Sequence, residues 1–109
     1  MAIVDAVITD KARQAVQVIG QWGYVRVAYL FGSQVQGTAD QWSDIDVAAF
    51  VEDAEEWDFD RLSRACGAVQ QQAGLDIEMH IFPASAYEKP SRASFAEYIL
   101  KHGVRIVEP

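Results

Sequence analysis

The stretch "LFGSQVQGTADQWSDIDVAAF", residues 30–50, joins the end of one apolar segment to the start of another, and two acids, Asp44 and Asp46, stand at the second junction. Residues two apart on a β-strand point to the same face, about 6 to 7 Å apart along the backbone. Two carboxylates in that arrangement repel each other unless a cation or a proton neutralises them. The pattern therefore indicates either a metal site or a strand end whose acids face water.

Composition restricts the chain to a small, acidic globular protein. Its 109 residues are 50% hydrophobic, and its net charge of −7 opposes broad attraction to nucleic-acid backbones. The single cysteine, Cys66, excludes an internal disulfide or a cysteine metal cluster. No basic start precedes an apolar run, as in a signal peptide, and no apolar run approaches the roughly 20 residues of a membrane span. We expect one domain over residues 1–109, cytoplasmic and without a membrane segment.

Hydrophobic periodicity and glycine positions divide the chain into helices and strands. Apolar residues recur at helical spacing over 8–22, with Thr9 and Asp10 as expected caps and Gly23 as the closing residue. The other predicted elements are strands over 24–31, 44–51, 75–82 and 104–107, and helices over 55–73 and 94–102. This mixture predicts an α+β domain in which helices flank a mixed β-sheet.

A glycine-serine pair ends the first strand of the opening stretch. Gly32 and Ser33 follow Phe31, and Gly37 lies a few residues later. Backbone amides in such a turn form a nest for phosphate oxygens, to which the Ser33 hydroxyl adds a donor. Mg²⁺ prefers oxygen ligands and substrate phosphates, so a phosphate-binding turn beside carboxylates suits Mg²⁺ and a nucleoside triphosphate together. The conjunction favours phosphoryl or nucleotidyl transfer.

Gly32-Ser33, a ten-residue gap and Asp44-x-Asp46 resemble the signature of the minimal nucleotidyltransferases (MNT) of the DNA polymerase β superfamily. The segments "IEMHIFPASAY" and "SFAEYILKHGVRIV" resemble that family's third acidic strand and its closing helix and strand. The resemblance implies a polymerase β-like fold of the α+β class. It also implies two Mg²⁺ ions, or Mn²⁺, held by the two aspartates and a third carboxylate, with the triphosphate bound by the Gly-Ser turn.

The same resemblance implies a reaction and a partner. Many small members of the family are antitoxins paired with a HEPN-domain ribonuclease toxin, and some transfer AMP from ATP to a tyrosine of the toxin. By resemblance, we expect a Mg²⁺-dependent transferase that moves a nucleoside monophosphate, AMP from ATP in the simplest case, to a protein hydroxyl. The expected partner is a HEPN toxin.

Two acids compete for the role of third carboxylate. Strand alternation over 75–82 places Asp76, Glu78 and His80 on one face, so spacing alone does not choose between the acids. The family's third acid lies just ahead of the segment that leaves the strand. This register favours Glu78 as a metal ligand that also assists deprotonation of the acceptor hydroxyl. Asp76 is then a neighbour of the site or a solvated residue, and His80 is interpreted as a hydrogen-bonded structural residue.

Two glutamines support an alternative function. Gln34 and Gln36 stand where family members commonly carry arginines, so positive charge beside the triphosphate is lost. Arg26, Lys89 and Arg92 are the candidates to replace it. The alternative is an antitoxin of nucleotidyltransferase fold that is catalytically weak or inactive and neutralises its toxin by covering it. A purely structural α+β domain would require the glycine, the serine and the acids to coincide by chance.

Overall fold

The structure, a computed structural model, describes residues 5–40 and 42–108. In chain order the elements are α1 (Ala6–Ile19), β1 (Val25–Phe31), α2 (Ser33–Gln36), β2 (Ile45–Val51), α3 (Phe59–Gln72), β3 (Ile77–Pro83), α4 (Ala84–Glu88), α5 (Phe95–His102) and β4 (Val104–Val107), with a 3₁₀ turn at Ala54–Glu56. None of the described helices is long and apolar enough to cross a membrane.

The four strands form one sheet in the order β3-β2-β1-β4. β1 is one of the two inner strands and pairs antiparallel with both β2 and β4. β2 and β3 pair in parallel, which requires a crossover, and α3 supplies the helix of that crossover. The predicted α+β domain with a mixed sheet flanked by helices is therefore confirmed.

Each face of the sheet buries its own core, because alternate residues of every strand point to opposite sides. α1 and α3 cover one face, over an aliphatic core that includes Ile19, Leu30, Ile45, Val47, Val69 and Ile77. α4 and α5 cover the other, over an aromatic core that includes Tyr29, Phe31, Phe50, Phe82 and Ile99. We call these the α1–α3 face and the α4–α5 face.

The first helix begins and ends earlier than its sequence pattern indicated. Its N-cap is Asp5, whose Oδ1 accepts a hydrogen bond from the Val7 amide at 2.7 Å, so the expected caps Thr9 and Asp10 lie inside the helix. The helix closes at Gly20 rather than Gly23. Side-chain capping of free amides determines where a helix starts, and Asp5 satisfies one of them first.

Two large apolar residues within the predicted helix over 55–73 and the predicted strand over 75–82 are exposed. Phe59 opens α3 directly after its N-cap, Asp58, and Leu75 lies in the turn before β3; each is 84% exposed. α4 was not predicted, because five residues after Pro83 are too few to show a helical period. The remaining strands and α5 lie within two residues of their predicted bounds.

Candidate active site

A row of three side chains crosses the sheet where β1 ends and where β2 and β3 begin. Phe31 is the pairing partner of Asp46, and Asp46 is the pairing partner of Glu78. Because paired residues on neighbouring strands point the same way, all three project from the α4–α5 face. The two acids therefore meet through strand register, although they are 32 positions apart in the chain (78 − 46).

His80 completes a compact group with these acids. Its Nε2 lies 3.8 Å from Asp46 Oδ1 and 3.6 Å from Glu78 Oε1. One donor atom from each of the three residues lies within 4.8 Å of the others. His80 Nε2 is buried and has no hydrogen-bond partner among the described residues. A buried polar atom in that condition calls for an explanation, and it faces two carboxylates.

Aromatic packing fixes the orientation of the His80 ring. Its centroid lies 5.2 Å from that of Phe31 and 5.5 Å from that of Phe95, both in edge-to-face geometry. Phe31 and Phe95 pack edge-to-face on each other at 5.5 Å. Since two rings hold the imidazole, its Nε2 points at Asp46 and Glu78 without a hydrogen bond to hold it there.

Asp46 and Glu78 lie close enough for their negative charges to repel each other. The pKa of the Asp46 carboxyl is raised from 3.8 to about 6, first because burial disfavours its charged form and second because the Glu78 charge repels it. Asp44 adds a smaller repulsion, while His80 acts in the opposite direction. Asp46 is 22% exposed and Glu78 56% exposed, so Asp46 is the member of the pair that lacks water. A cation between them would remove this cost.

The glycine-serine turn lies directly against Asp46. Gly32 has φ +79°, a conformation that favours glycine, and a Cβ there would collide with Asp46 Oδ2. The next residues form α2, a single short turn of helix that ends at Gly37, also at positive φ. The backbone of the turn therefore approaches the carboxylate more closely than any other residue type would allow.

The other predicted site residues have different positions. Asp44 precedes β2 and is exposed, so strand alternation does not align it with Asp46; its role as a metal ligand stays a prediction. Asp76 lies before β3, and its carboxylate contacts Lys11 Nζ at 2.6 Å. The expectation that Asp76 and Glu78 share a face is wrong, because the alternation begins only at Ile77.

Arg26 and Gln36, which were considered for the surroundings of the triphosphate, both make other contacts. Arg26 contacts both Glu52, at 3.0 Å, and Glu88, at 2.6 Å, so it is held away from the turn. Gln36 Nε2 donates a hydrogen bond to the Tyr98 hydroxyl at 2.9 Å, which connects α2 to α5. The glutamine thus has a packing role that its sequence position did not reveal.

Sequence reasoning left His80 out of the cation site and interpreted it as a hydrogen-bonded structural residue, whereas its Nε2 has no hydrogen-bond partner among the described residues. Its signal was present in the alternation, since it follows Glu78 by two residues on the same strand. What the sequence lacked was the sheet register that brings both residues opposite Asp46 and Ala48. Phe95 was unmarked as well, because only the packing of α5 places its ring against His80.

The donor set fits a divalent cation. Two carboxylates suit Mg²⁺ or Mn²⁺, and an imidazole nitrogen adds affinity for transition metals. The raised pKa of Asp46 and the unpartnered Nε2 of His80 are both features that a bound cation would relieve. Asp46, Glu78 and His80 are therefore the residues of the described chain that could hold one.

Comparison with known proteins places this geometry in a family. The profile of the nucleotidyltransferase domain matches residues 10–106, whereas no curated protein is significantly similar to the chain. A crystal structure described as a toxin-antitoxin with AMP-PNP is similar at TM-score 0.62 and 20% identity, over 90% of this chain and 73% of that one.

A second similar structure comes from Sulfolobus solfataricus and is described provisionally as a nucleotidyltransferase. Its TM-score is 0.53 at 13% identity, over 96% of this chain and 89% of that one. At these identities the two likenesses show the fold, a mixed four-stranded sheet flanked by helices. Since the family profile covers nearly the whole chain and every residue of the candidate site, the chain belongs to the nucleotidyltransferase domain family.

Proposed function

We propose that this protein is a divalent-metal-dependent nucleotidyltransferase that transfers a nucleoside monophosphate, AMP from ATP, to a hydroxyl of a protein partner. One observation carries the proposal: Asp46 and Glu78 stand in register on neighbouring strands, with His80 Nε2 facing both and Gly32 packed against Asp46. An arrangement of this kind combines a cation site with a backbone turn that accepts phosphates.

Each residue has a role in this proposal. Asp46 and Glu78 hold the cation, with His80 beside them and Asp44 as a further ligand contributed by the segment before β2. Gly32 and Ser33 bind the triphosphate through backbone amides and the Ser33 hydroxyl. A bound Mg²⁺ or Mn²⁺, two ions by family resemblance, would neutralise the phosphate charge and activate the acceptor hydroxyl.

The chemical step follows from those positions. The acceptor oxygen forms a bond to the α-phosphorus, and the bond from that phosphorus to the oxygen bridging to the β-phosphate breaks. Pyrophosphate leaves on the side of Gly32 and Ser33. The acceptor proton passes to the Glu78 carboxylate, which is the more exposed acid of the pair and so the one that an incoming partner can reach.

A toxin is the partner class that best suits the proposal. The similar structure described as a toxin-antitoxin with AMP-PNP unites the fold, a nucleotide analogue and a partner protein. We therefore propose that the chain is an antitoxin, and the family resemblance suggests a HEPN-domain toxin as its target. Glu78 lies on β3, an edge strand of the sheet, where a second protein has access to it.

A second candidate function is an antitoxin of the same fold that acts by covering its toxin without catalysis. The observation that favours it is the charge around the phosphate turn. Arg26 is held by two glutamates, and Gln34 and Gln36 are neutral, so the cations expected beside the triphosphate are not supplied from these positions.

Labelled transfer separates the two functions. The protein is incubated with α-labelled ATP, Mg²⁺ or Mn²⁺, and a HEPN-domain toxin as the candidate partner. Asp46→Asn should reduce labelling of that partner by at least about 100-fold, because the cation loses the less exposed of its two carboxylate ligands. Ser33→Ala should raise the KM for ATP by about 3- to 10-fold and leave kcat nearly unchanged, because one donor among several is lost.

Asp60→Asn, on the exposed surface of α3, is the matched control and should label as the wild type does. If the wild type labels no partner, yet wild type and Asp46→Asn silence the toxin equally, the covering function replaces the enzymatic one.

A further inference from the structure

A cavity of about 410 Å³ opens between α4, α5 and the end of β3. Phe82, Phe95 and Ala86 form apolar walls, and Lys89, Ser91 and Ser94 add polar groups. This volume and this mixture of aromatic and polar lining are typical of small-ligand sites. The residues assigned above to the cation and the phosphates leave this cavity without a role.

The cavity shares a wall with the candidate active site. Phe95 lines the cavity, and its ring centroid is 5.5 Å from that of His80 and 6.0 Å from that of Phe82. Phe82 continues the alternation of Glu78 and His80 along the same face of β3. Phe95 is nevertheless 49% exposed, so part of an aromatic ring remains uncovered where the cavity and the site meet.

The cavity is also lined by a basic side chain, Lys89, that contacts no acid of the described chain. The chain has nine lysines and arginines. Within residues 5–40 and 42–108, six of them contact carboxylates, and Arg61 stacks on Trp57. The two left without such a contact are Lys89 and Arg92, both on the segment between α4 and α5, and Lys89 lines the cavity. On a chain of net charge −7, this is a local donor surface.

The line along which the nucleotidyl group is transferred indicates which part of the nucleotide lies nearest the cavity. Nucleotidyl transfer is an in-line displacement, so the acceptor oxygen and the leaving pyrophosphate lie on one axis through the α-phosphorus. With the pyrophosphate at Gly32, at the end of β1, that axis runs across the strands past Asp46 to Glu78 at the sheet edge. The nucleoside is attached beside this axis. The cavity also lies beside it, displaced along β3 toward Phe82 by about 13 Å from Glu78.

We propose that the cavity between α4 and α5 is the nucleoside subsite, in which the base stacks on the exposed part of Phe95 while Lys89, Ser91 and Ser94 contact the base edge and the ribose. This inference rests on the proposed function, because it assumes a nucleoside triphosphate with its phosphates at Gly32 and Ser33. Stacking on an aromatic ring tolerates every base, and the three polar side chains supply the directional contacts. The sheet edge at Glu78 stays free for the acceptor.

Binding of two ligands tests the proposal without any partner. ATP and inorganic tripolyphosphate, each with Mn²⁺, are titrated into the intact protein by calorimetry; only ATP carries a nucleoside. Ser91→Trp, an exposed position at which a large side chain would fill the cavity, should weaken ATP by at least about 10-fold and leave tripolyphosphate unchanged. Ser63→Trp, an exposed position on α3, is the matched control and should change neither affinity.

A second variant removes the stacking face without filling the cavity. Phe95→Leu should weaken ATP by about 5- to 100-fold more than it weakens tripolyphosphate, because loss of base stacking affects only the ligand that carries a base, whereas any disturbance of His80 affects both. Equal weakening of both ligands would instead show that Phe95 acts only through His80, and would overturn the proposal. Wild-type affinity for ATP no greater than for tripolyphosphate would also overturn it, while the proposed function would stand. If neither ligand binds the wild type, the proposed function fails and the subsite with it.

Discussion

The two faces of the sheet are built from the same strands but differ in how completely helices cover them. On the α1–α3 face, aliphatic side chains from alternate strand positions fill the space under two 14-residue helices. On the α4–α5 face, helices of five and eight residues cover an aromatic core and leave Asp46, Glu78 and His80 at the uncovered end. One face is closed by long helices, and the other is only partly covered.

The difference teaches where stability and chemistry reside in this fold. The α1–α3 face contains apolar groups whose burial stabilises the protein. The α4–α5 face contains a repelling pair of acids and an unpartnered imidazole, which lower stability in the absence of a cation. A substitution on the first face should therefore reduce the free energy of unfolding, whereas a neutralising substitution at the acids should not.

The largest effect is expected on the α1–α3 face. Ile19→Ala removes a side chain of 0% exposure from this core and should lower the free energy of unfolding by about 2–5 kcal/mol, measured by urea denaturation. Val7→Ala, on the same helix but 71% exposed, is the control and should change it by less than about 0.5 kcal/mol. Similar losses from both variants would remove the distinction between a closed core and a tolerant surface.

A smaller effect, on metal affinity, sharpens the description of the α4–α5 face. His80→Gln removes the imidazole nitrogen beside both acids and should weaken Mn²⁺ binding by about 10- to 100-fold, measured by electron paramagnetic resonance titration. His102→Gln, at the exposed end of α5, is the matched control and should bind Mn²⁺ as the wild type does. Unchanged affinity in His80→Gln would restore the structural interpretation of this histidine.

The smallest effect is a dependence of stability on pH. The folded protein holds the Asp46 proton up to a pKa of about 6, against 3.8 in the unfolded chain, so the folded state binds more protons between these values. The contribution of Asp46 is therefore fully present below pH 3.8 and is lost as the pH rises through about 6.

The free energy of unfolding of the metal-free wild type should therefore fall by about 1–2 kcal/mol relative to that of Asp46→Asn between pH 4 and pH 7, because the folded state holds the Asp46 pKa at about 6 and residual solvent contact reduces the effect. Thermal unfolding of both proteins in chelator measures the difference. If the difference in stability between the two proteins stays constant across this range, the pKa of the Asp46 carboxyl is not raised. Repulsion between the acids of the α4–α5 face would then not lower stability.

The sequence predicted those parts of the fold that depend on local chemistry. β1 and β2 were found because their residues are apolar over a full strand length, and α5 because Ser94 and Gly103 bound its apolar pattern. The predicted boundaries of α1 were wrong because Thr9 and Asp10 are as suitable for capping as Asp5, and only the folded chain shows which residue caps the helix.

Site residues that lie together in one sequence motif could be predicted. Site residues that only folding brings together could not. The glycine-serine turn and Asp46 lie in one stretch of sequence, and the structure brings Gly32 against Asp46. The separation of Asp76 from Glu78 depends on the residue at which β3 starts, a feature that alternation does not reveal. The position of His80 depends on parallel register between β2 and β3, and no local property of the chain encodes it.

The parallel register of β2 and β3 affects what fraction of the folded molecules in a cell are active. Ile45 faces Ile77 and Asp46 faces Glu78, so a slip of β3 by one residue would turn Glu78 into the aliphatic core and bring an apolar side chain opposite Asp46. A misaligned chain would thus lose its core together with its chemistry. Folded but incompetent molecules should be rare, and mutations that weaken the α1–α3 face should lower the amount of protein while leaving the specific activity of each surviving molecule intact.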